Sequence, residues 1–318
     1  MHRRLTASAM LLALAACNAP QREQVPSATI DADWPTIPED AVFGQVSAVE
    51  VDSHGHIFVL HRAGRVWEEP FPADPIAQPT VFMFAPDGTL LARWGAGQFV
   101  MPHGLSVDAD DAIWITDVGR EQVFRFSHDG EEQLVIGERG VTAQDAAHFG
   151  RPADVAFIDD RVLVADGYVN TRVAEFDPAG AFLRDWGNFS TAHGIAVDDQ
   201  RIFVADRENA QIQVFDLDGN QVETRKSPNG SHTYGLASLG GGWLAAVEGR
   251  DGADRFGAIV RIYRPDGTIE RSLDVGLAGK DASLGHDIAV GPDGMAYVTD
   301  VYGDRVIRFE LTGGKDSE

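Results

Sequence analysis

Short runs of apolar residues recur along the chain at nearly constant spacing, each too brief for a helix and each bounded by glycine or aspartate. One run, Gly104 to Asp108, opens a unit. A turn follows, then a second run that ends in aspartate, as in Ile113–Asp117, Val162–Asp166, Ile202–Asp206 and Ala296–Asp300. A third run alternates apolar and polar positions, as in Gln122–Phe126 and Gln211–Phe215, and a turn such as Asp129-Gly130 or Asp218-Gly219 leads to a fourth. Four short antiparallel strands in every ~40 to 55 residues make the repeat of a propeller blade. Six units in one phase predict an all-β, six-bladed β-propeller over residues 39–318. A β-sandwich would be equally all-β but would leave the fixed phase unexplained. The last unit runs out near Leu311, after its third strand, so the segment Ala28 to Asp33 is expected to supply its outer strand and close the ring.

The N-terminus follows a different rule. Arg3 and Arg4 precede an apolar stretch, Leu5 to Ala16, that is too short to span a bilayer. It ends in Leu14-Ala15-Ala16-Cys17, which resembles the bacterial lipobox. Residues 1–17 are therefore expected to be a lipoprotein signal peptide with Cys17 lipidated, which implies export and a membrane anchor at the cell envelope. Residues 18–38, with Pro20, Pro26, Pro35 and Pro38, read as a flexible tether. Cys17 is the only cysteine, so no intrachain disulfide can form. A formal charge of −23 with no basic patch argues against nucleic acid as a partner.

Alignment of the units on their first strand brings out the candidate chemistry. Pro102-His103-Gly104-Leu105, Ala192-His193-Gly194-Ile195 and Gly285-His286-Asp287-Ile288 carry histidine at one phase in the second, fourth and sixth units. In a closed ring these side chains would converge on the axis about 120° apart, an arrangement suited to a divalent transition metal with an open coordination position. Arg62 and Arg207 follow Val49 and Ile195 by 13 and 12 residues, so they hold equivalent places in loops after the second strand, and Tyr168 lies in the corresponding loop of the third unit. These loops and the histidines are expected to open on the same mouth of the channel. His54, His56, His61, His128, His148 and His232 follow no such pattern and read as ordinary surface or packing residues.

The repeat pattern resembles NHL repeats. Met101-Pro102-His103-Gly104-Leu105, Asp166-Gly167-Tyr168-Val169-Asn170, Ala205-Asp206-Arg207-Glu208-Asn209 and Gly285-His286-Asp287-Ile288 are more specific, and resemble the peptidyl-α-hydroxyglycine α-amidating lyase family over about Trp34 to Leu311. That resemblance implies a catalytic zinc on His103, His193 and His286, and a structural calcium on the main-chain carbonyls of Val49 and Leu105 and the carboxylate of Asp287. It also implies Tyr168 as base with Arg62 and Arg207 beside it. The implied reaction splits the C–N bond of a small N-acyl or peptidyl α-hydroxyglycine into a primary amide and glyoxylate. Val169 and Leu284 stand where the family has a cysteine and a methionine. Two competing readings are a calcium-dependent lactonase, against which the three histidines count, and a membrane-tethered binding scaffold, which leaves the shared rim of Tyr168 and Arg207 unexplained. A different metal-dependent reaction at the same site is the third.

Overall fold

The computed structural model describes residues 25–250, 256–276 and 283–311. They form six four-stranded antiparallel sheets. In blades one to five the strands pair in chain order, starting at inner strands Val46–Val51, Pro102–Val107, Asp154–Ile158, Ala192–Val197 and His232–Gly240. The sixth blade takes Gly285–Val290, Met295–Asp300 and Arg305–Glu310 from the end of the chain, and its outer strand is Ile30–Asp31. Ile30 pairs with Phe309 and Asp31 with Arg308, closing the ring as expected.

This closure trims the tether read over 18–38. Trp34 is buried against Tyr297 and Phe84, with ring centroids 4.9 and 5.8 Å away, and Ala28 N donates to Asp274 O at 3.1 Å. Residues from about Pro26 onward therefore belong to the propeller. The segment thus completes the sixth blade to the same four strands as the other five. The signal peptide and Cys17 lie outside the described residues.

Burial explains why the strands differ in pattern. Second strands are sandwiched on both faces and read as continuous apolar runs, such as buried Val162 to Ala165. Outer strands such as Leu90–Trp94 and Phe182–Trp186 alternate between half-buried and exposed positions because only one face packs. The aspartates that end the second strands are fully buried and structural. Asp117 accepts from the main-chain N–H groups of Val100 and Met101 at 2.6 and 2.9 Å, Asp166 from Gly150 at 2.7 Å, Asp206 from Ser190 at 2.8 Å and Asp300 from Leu284 at 2.9 Å. Each thus fixes the segment that leads into its own blade's first strand, which is where the histidines sit.

Candidate active site in the propeller channel

All three histidine strands carry the same local distortion. Pro102 faces Asp117 while Leu105 faces Ile115, and the same slip separates Ala192 from Ile195 and Gly285 from Ile288. The histidine and its successor oppose a single residue of the second strand, a bulge that re-aims the side chain. Thr116 Oγ1 pins the bulge in blade two, accepting from Gly104 N at 2.8 Å and donating to Ala153 O at 2.9 Å, and Thr299 Oγ1 accepts from Asp287 N at 2.8 Å in blade six. Glycine follows the histidine in blades two and four because a Cβ there would collide with the carbonyls of Ala153 and Tyr234 in the next blade.

Those same carbonyls orient the imidazoles. Nδ1–H of His103 donates to Ala153 O at 2.8 Å, that of His193 to Tyr234 O at 2.8 Å and that of His286 to Ser47 O at 2.7 Å. Each ring is therefore held by the following blade, and Nε2 is left toward the axis. Ring centroids are 4.7 to 4.9 Å apart, and one ring nitrogen of each histidine lies within 4.8 Å of the other two. Burial pushes His103 and His193 well below the usual imidazole range, helped by His286 and Arg62 around the first and by Arg207 and His103 around the second. Three inward-facing Nε2 atoms, each ring steadied through its other nitrogen, fit a zinc-type ion with one position left open.

Above the histidines a cavity of about 290 Å³ is lined by Arg62, Trp67, Tyr168, Arg207, Tyr234 and His286, among others. Tyr168 Oη lies 2.9 Å from His103 Nε2 and 3.1 Å from His193 Nε2, and accepts from Arg207 Nη1 at 3.1 Å. Burial alone would lower the Arg207 guanidinium, but Tyr168, Tyr234 and Glu208 outweigh it and hold it above its ordinary value. Arg62 shares the cavity without bonding Tyr168. Its Nε donates to Pro102 O at 3.2 Å and its Nη1 to Gln45 Oε1 at 2.9 Å, and burial pushes it down to about 10.

Trp67 was not foreseen. Its ring stands 5.2 Å from Tyr168, with the Arg62 guanidinium 5.2 Å over it, and it comes from a long loop of blade one that has no counterpart in the other repeats. Tyr234 was legible, since it occupies the histidine phase of blade five.

Below the histidines the channel narrows and then opens into a second cavity of about 250 Å³ at its far end, lined in part by Glu50, Leu105, Asp154 and Asp287. Asp287 Oδ2 accepts from Val49 N at 3.0 Å, so the predicted ligands Val49 and Asp287 are neighbours. Asp154 Oδ2 accepts from Ile195 N and Glu50 Oε1 from Val51 N, each at 2.9 Å. Burial raises Glu50 to about 8 and Asp287 to about 7, and raises Asp154 well above the carboxylate range. Oxygen donors that pay for burial by staying protonated suit a hard cation such as calcium. Asp154 repeats in blade three the place of Asp287, and Glu50 stands where blades two to six have Ser106, Ala156, Ala196, Ala237 and Ala289. Both signals were visible in the alignment of the repeats.

An NHL repeat model matches residues 99–126 and 189–215. A gluconolactonase of Xanthomonas campestris has the same fold, with a TM-score of 0.63 and 17% identity over 91% of this chain and 98% of that one. The peptidyl-glycine alpha-amidating monooxygenase B of Xenopus laevis is 31% identical over 88% of this chain, which spans only 35% of that protein's length. A Caenorhabditis elegans protein named a probable peptidyl-alpha-hydroxyglycine alpha-amidating lyase is 30% identical over 84% of this chain and 83% of its own. With that relative matched nearly end to end, and the site residues gathered in one channel, the chain belongs to the peptidyl-alpha-hydroxyglycine alpha-amidating lyase family.

Proposed function

We propose that the upper cavity cleaves small N-acyl or peptidyl α-hydroxyglycines to a primary amide and glyoxylate, with zinc on His103, His193 and His286. The observation that carries this reading is Tyr168 Oη set against two of the imidazole Nε2 atoms and Arg207 at about hydrogen-bond distance. Zinc held there would acidify a hydroxyl brought to its open position. Tyr168 then takes the α-hydroxyl proton, the C–O bond becomes a carbonyl, and the C–N electron pair leaves on nitrogen. Nitrogen needs one proton and the hydroxyl has lost one, so Tyr168 can return what it took and no water is consumed. Arg207 stabilises negative charge on the tyrosine oxygen, and Arg62 or Arg207 can pair with the substrate carboxylate. A cavity of about 290 Å³ suits a terminal hydroxyglycine with little beyond it, leaving the rest of a peptide outside.

Calcium in the lower cavity, on Val49, Leu105 and Asp287, belongs to the same proposal, as do lipidation at Cys17 and an envelope location. Glyoxylate release from a simple N-acyl α-hydroxyglycine by the purified protein, lost in chelator and restored by zinc, tests the activity. Zinc-independent release, or none at all, would overturn it.

A further inference from the structure

On the face of the ring away from Tyr168, histidines that the repeat left unassigned come together. The turn after the first strand of blade one, Asp52-Ser53-His54-Gly55-His56, meets the turn after the third strand of blade two, which carries His128. The Asp52 side chain is fully buried. Its Oδ1 accepts from the main-chain N–H groups of His54 and His56 at 2.9 and 2.7 Å, which fixes the carboxylate. Its Oδ2 lies 2.9 Å from His56 Nδ1, 2.9 Å from His128 Nε2 and 3.9 Å from His54 Nδ1. One ligand atom from each of the four residues falls within 4.8 Å of all the others.

We infer that Asp52, His54, His56 and His128 form a second transition-metal site, a structural clip that ties blade one to blade two. Three imidazoles and one carboxylate are a borderline-soft set of the kind zinc prefers, and four protein ligands make a closed site rather than a catalytic one. Zinc bonds of about 2.0 to 2.2 Å place tetrahedral ligand atoms about 3.3 to 3.6 Å apart. The separations of 2.9, 2.9 and 3.9 Å around Asp52 Oδ2 bracket that figure, so an ion can replace the two hydrogen bonds with shifts smaller than an ångström or so. The remaining ligands are well placed to adjust. His54 is 64% exposed and leaves the entry open, while His128 is braced edge-on by Phe58 at 5.3 Å. His54 Nδ1 also faces Asp111 Oδ2 at 3.3 Å, a second carboxylate that adds to the pull on a cation.

The alternative is an aspartate that merely hydrogen-bonds two histidines. The two are separated by titrating the chelator-stripped, tag-free full chain with zinc alone and following calorimetry and melting together. If the channel histidines also bind zinc, wild type should take up about two ions. His193→Ala should keep the clip's ion and its zinc-dependent rise in melting temperature, and His56→Asn combined with His128→Gln should lose both. If the channel binds none, the clip's single ion should still vanish in the double variant, so failure of the channel reading does not touch this one. Should the double variant fold poorly, His54→Ala at the exposed ring should cost at least about tenfold in zinc affinity at the clip. A folded double variant that binds as much zinc as wild type, or an unchanged affinity in His54→Ala, would overturn the inference.

Discussion

The two ends of the channel are built from the same six strands and answer burial in opposite ways. At the upper end burial lowers imidazoles, so His103 and His193 are neutral where they would otherwise titrate. At the lower end burial raises carboxyls, so Glu50 and Asp287 stay protonated up to about 8 and about 7. Both ends are thus held short of their charged forms, and a cation would meet a different starting form at each. Neutral imidazole is already the form that binds a transition metal, whereas a carboxyl must lose its proton to bind calcium. In His286 and Asp287 the two chemistries are adjacent in sequence, and the bulge in that strand lets both address the channel.

The largest effects should come from breaking the upper end. His193→Ala should lose the channel's metal and glyoxylate release together, while the ion at the Asp52 clip stays. Tyr168→Phe should keep the metal and the fold but lose roughly 10²- to 10⁴-fold in turnover. Metal analysis beside kcat distinguishes the two, and near-normal turnover by Tyr168→Phe would remove the phenol from the chemistry.

Next in size is a dependence on pH with a different sign at each end. In metal-free protein the raised carboxyls make the fold the better proton binder, so their stabilisation is present at low pH and fades as pH rises from about 4.5 through about 8. The lowered imidazoles do the reverse, costing stability as pH falls below the ordinary value of 6.5. Melting temperature in chelator should therefore peak at mildly acid pH. Calcium should raise it at about pH 8.5 and do little at about pH 5, and Glu50→Gln should flatten the alkaline limb. An alkaline limb that calcium leaves unmoved would show that the lower carboxyls hold no such ion.

The smallest effect sharpens the link between bulge and site. Thr116→Val removes the hydroxyl that holds Gly104 N and Ala153 O, and should cost about 1 to 2 kcal/mol by leaving the buried Gly104 N–H unsatisfied. Because Ala153 O also orients His103, zinc affinity should fall as well, read by competition with a chelator. Equal zinc affinity in the two proteins would mean the bulge holds without its threonine.

Much of this molecule is legible in its sequence, because a repeat converts spacing into angle. Equal units must pack face to face around an axis, so histidines in alternate units face one another, and the loops holding Tyr168 and Arg207 share a rim with them. The closing strand near Ala28 to Asp33 followed from a blade that ran out of chain. What the repeat could not supply lies between units. The carbonyls that orient each imidazole belong to the next blade, Trp67 reaches Tyr168 from a loop found in one blade alone, and His128 crosses to Asp52 from a neighbouring turn. Periodicity specifies what recurs within a unit, whereas these contacts cross from one unit to another, and those of Trp67 and His128 occur between residues whose only relation is the distance the packed ring leaves between them.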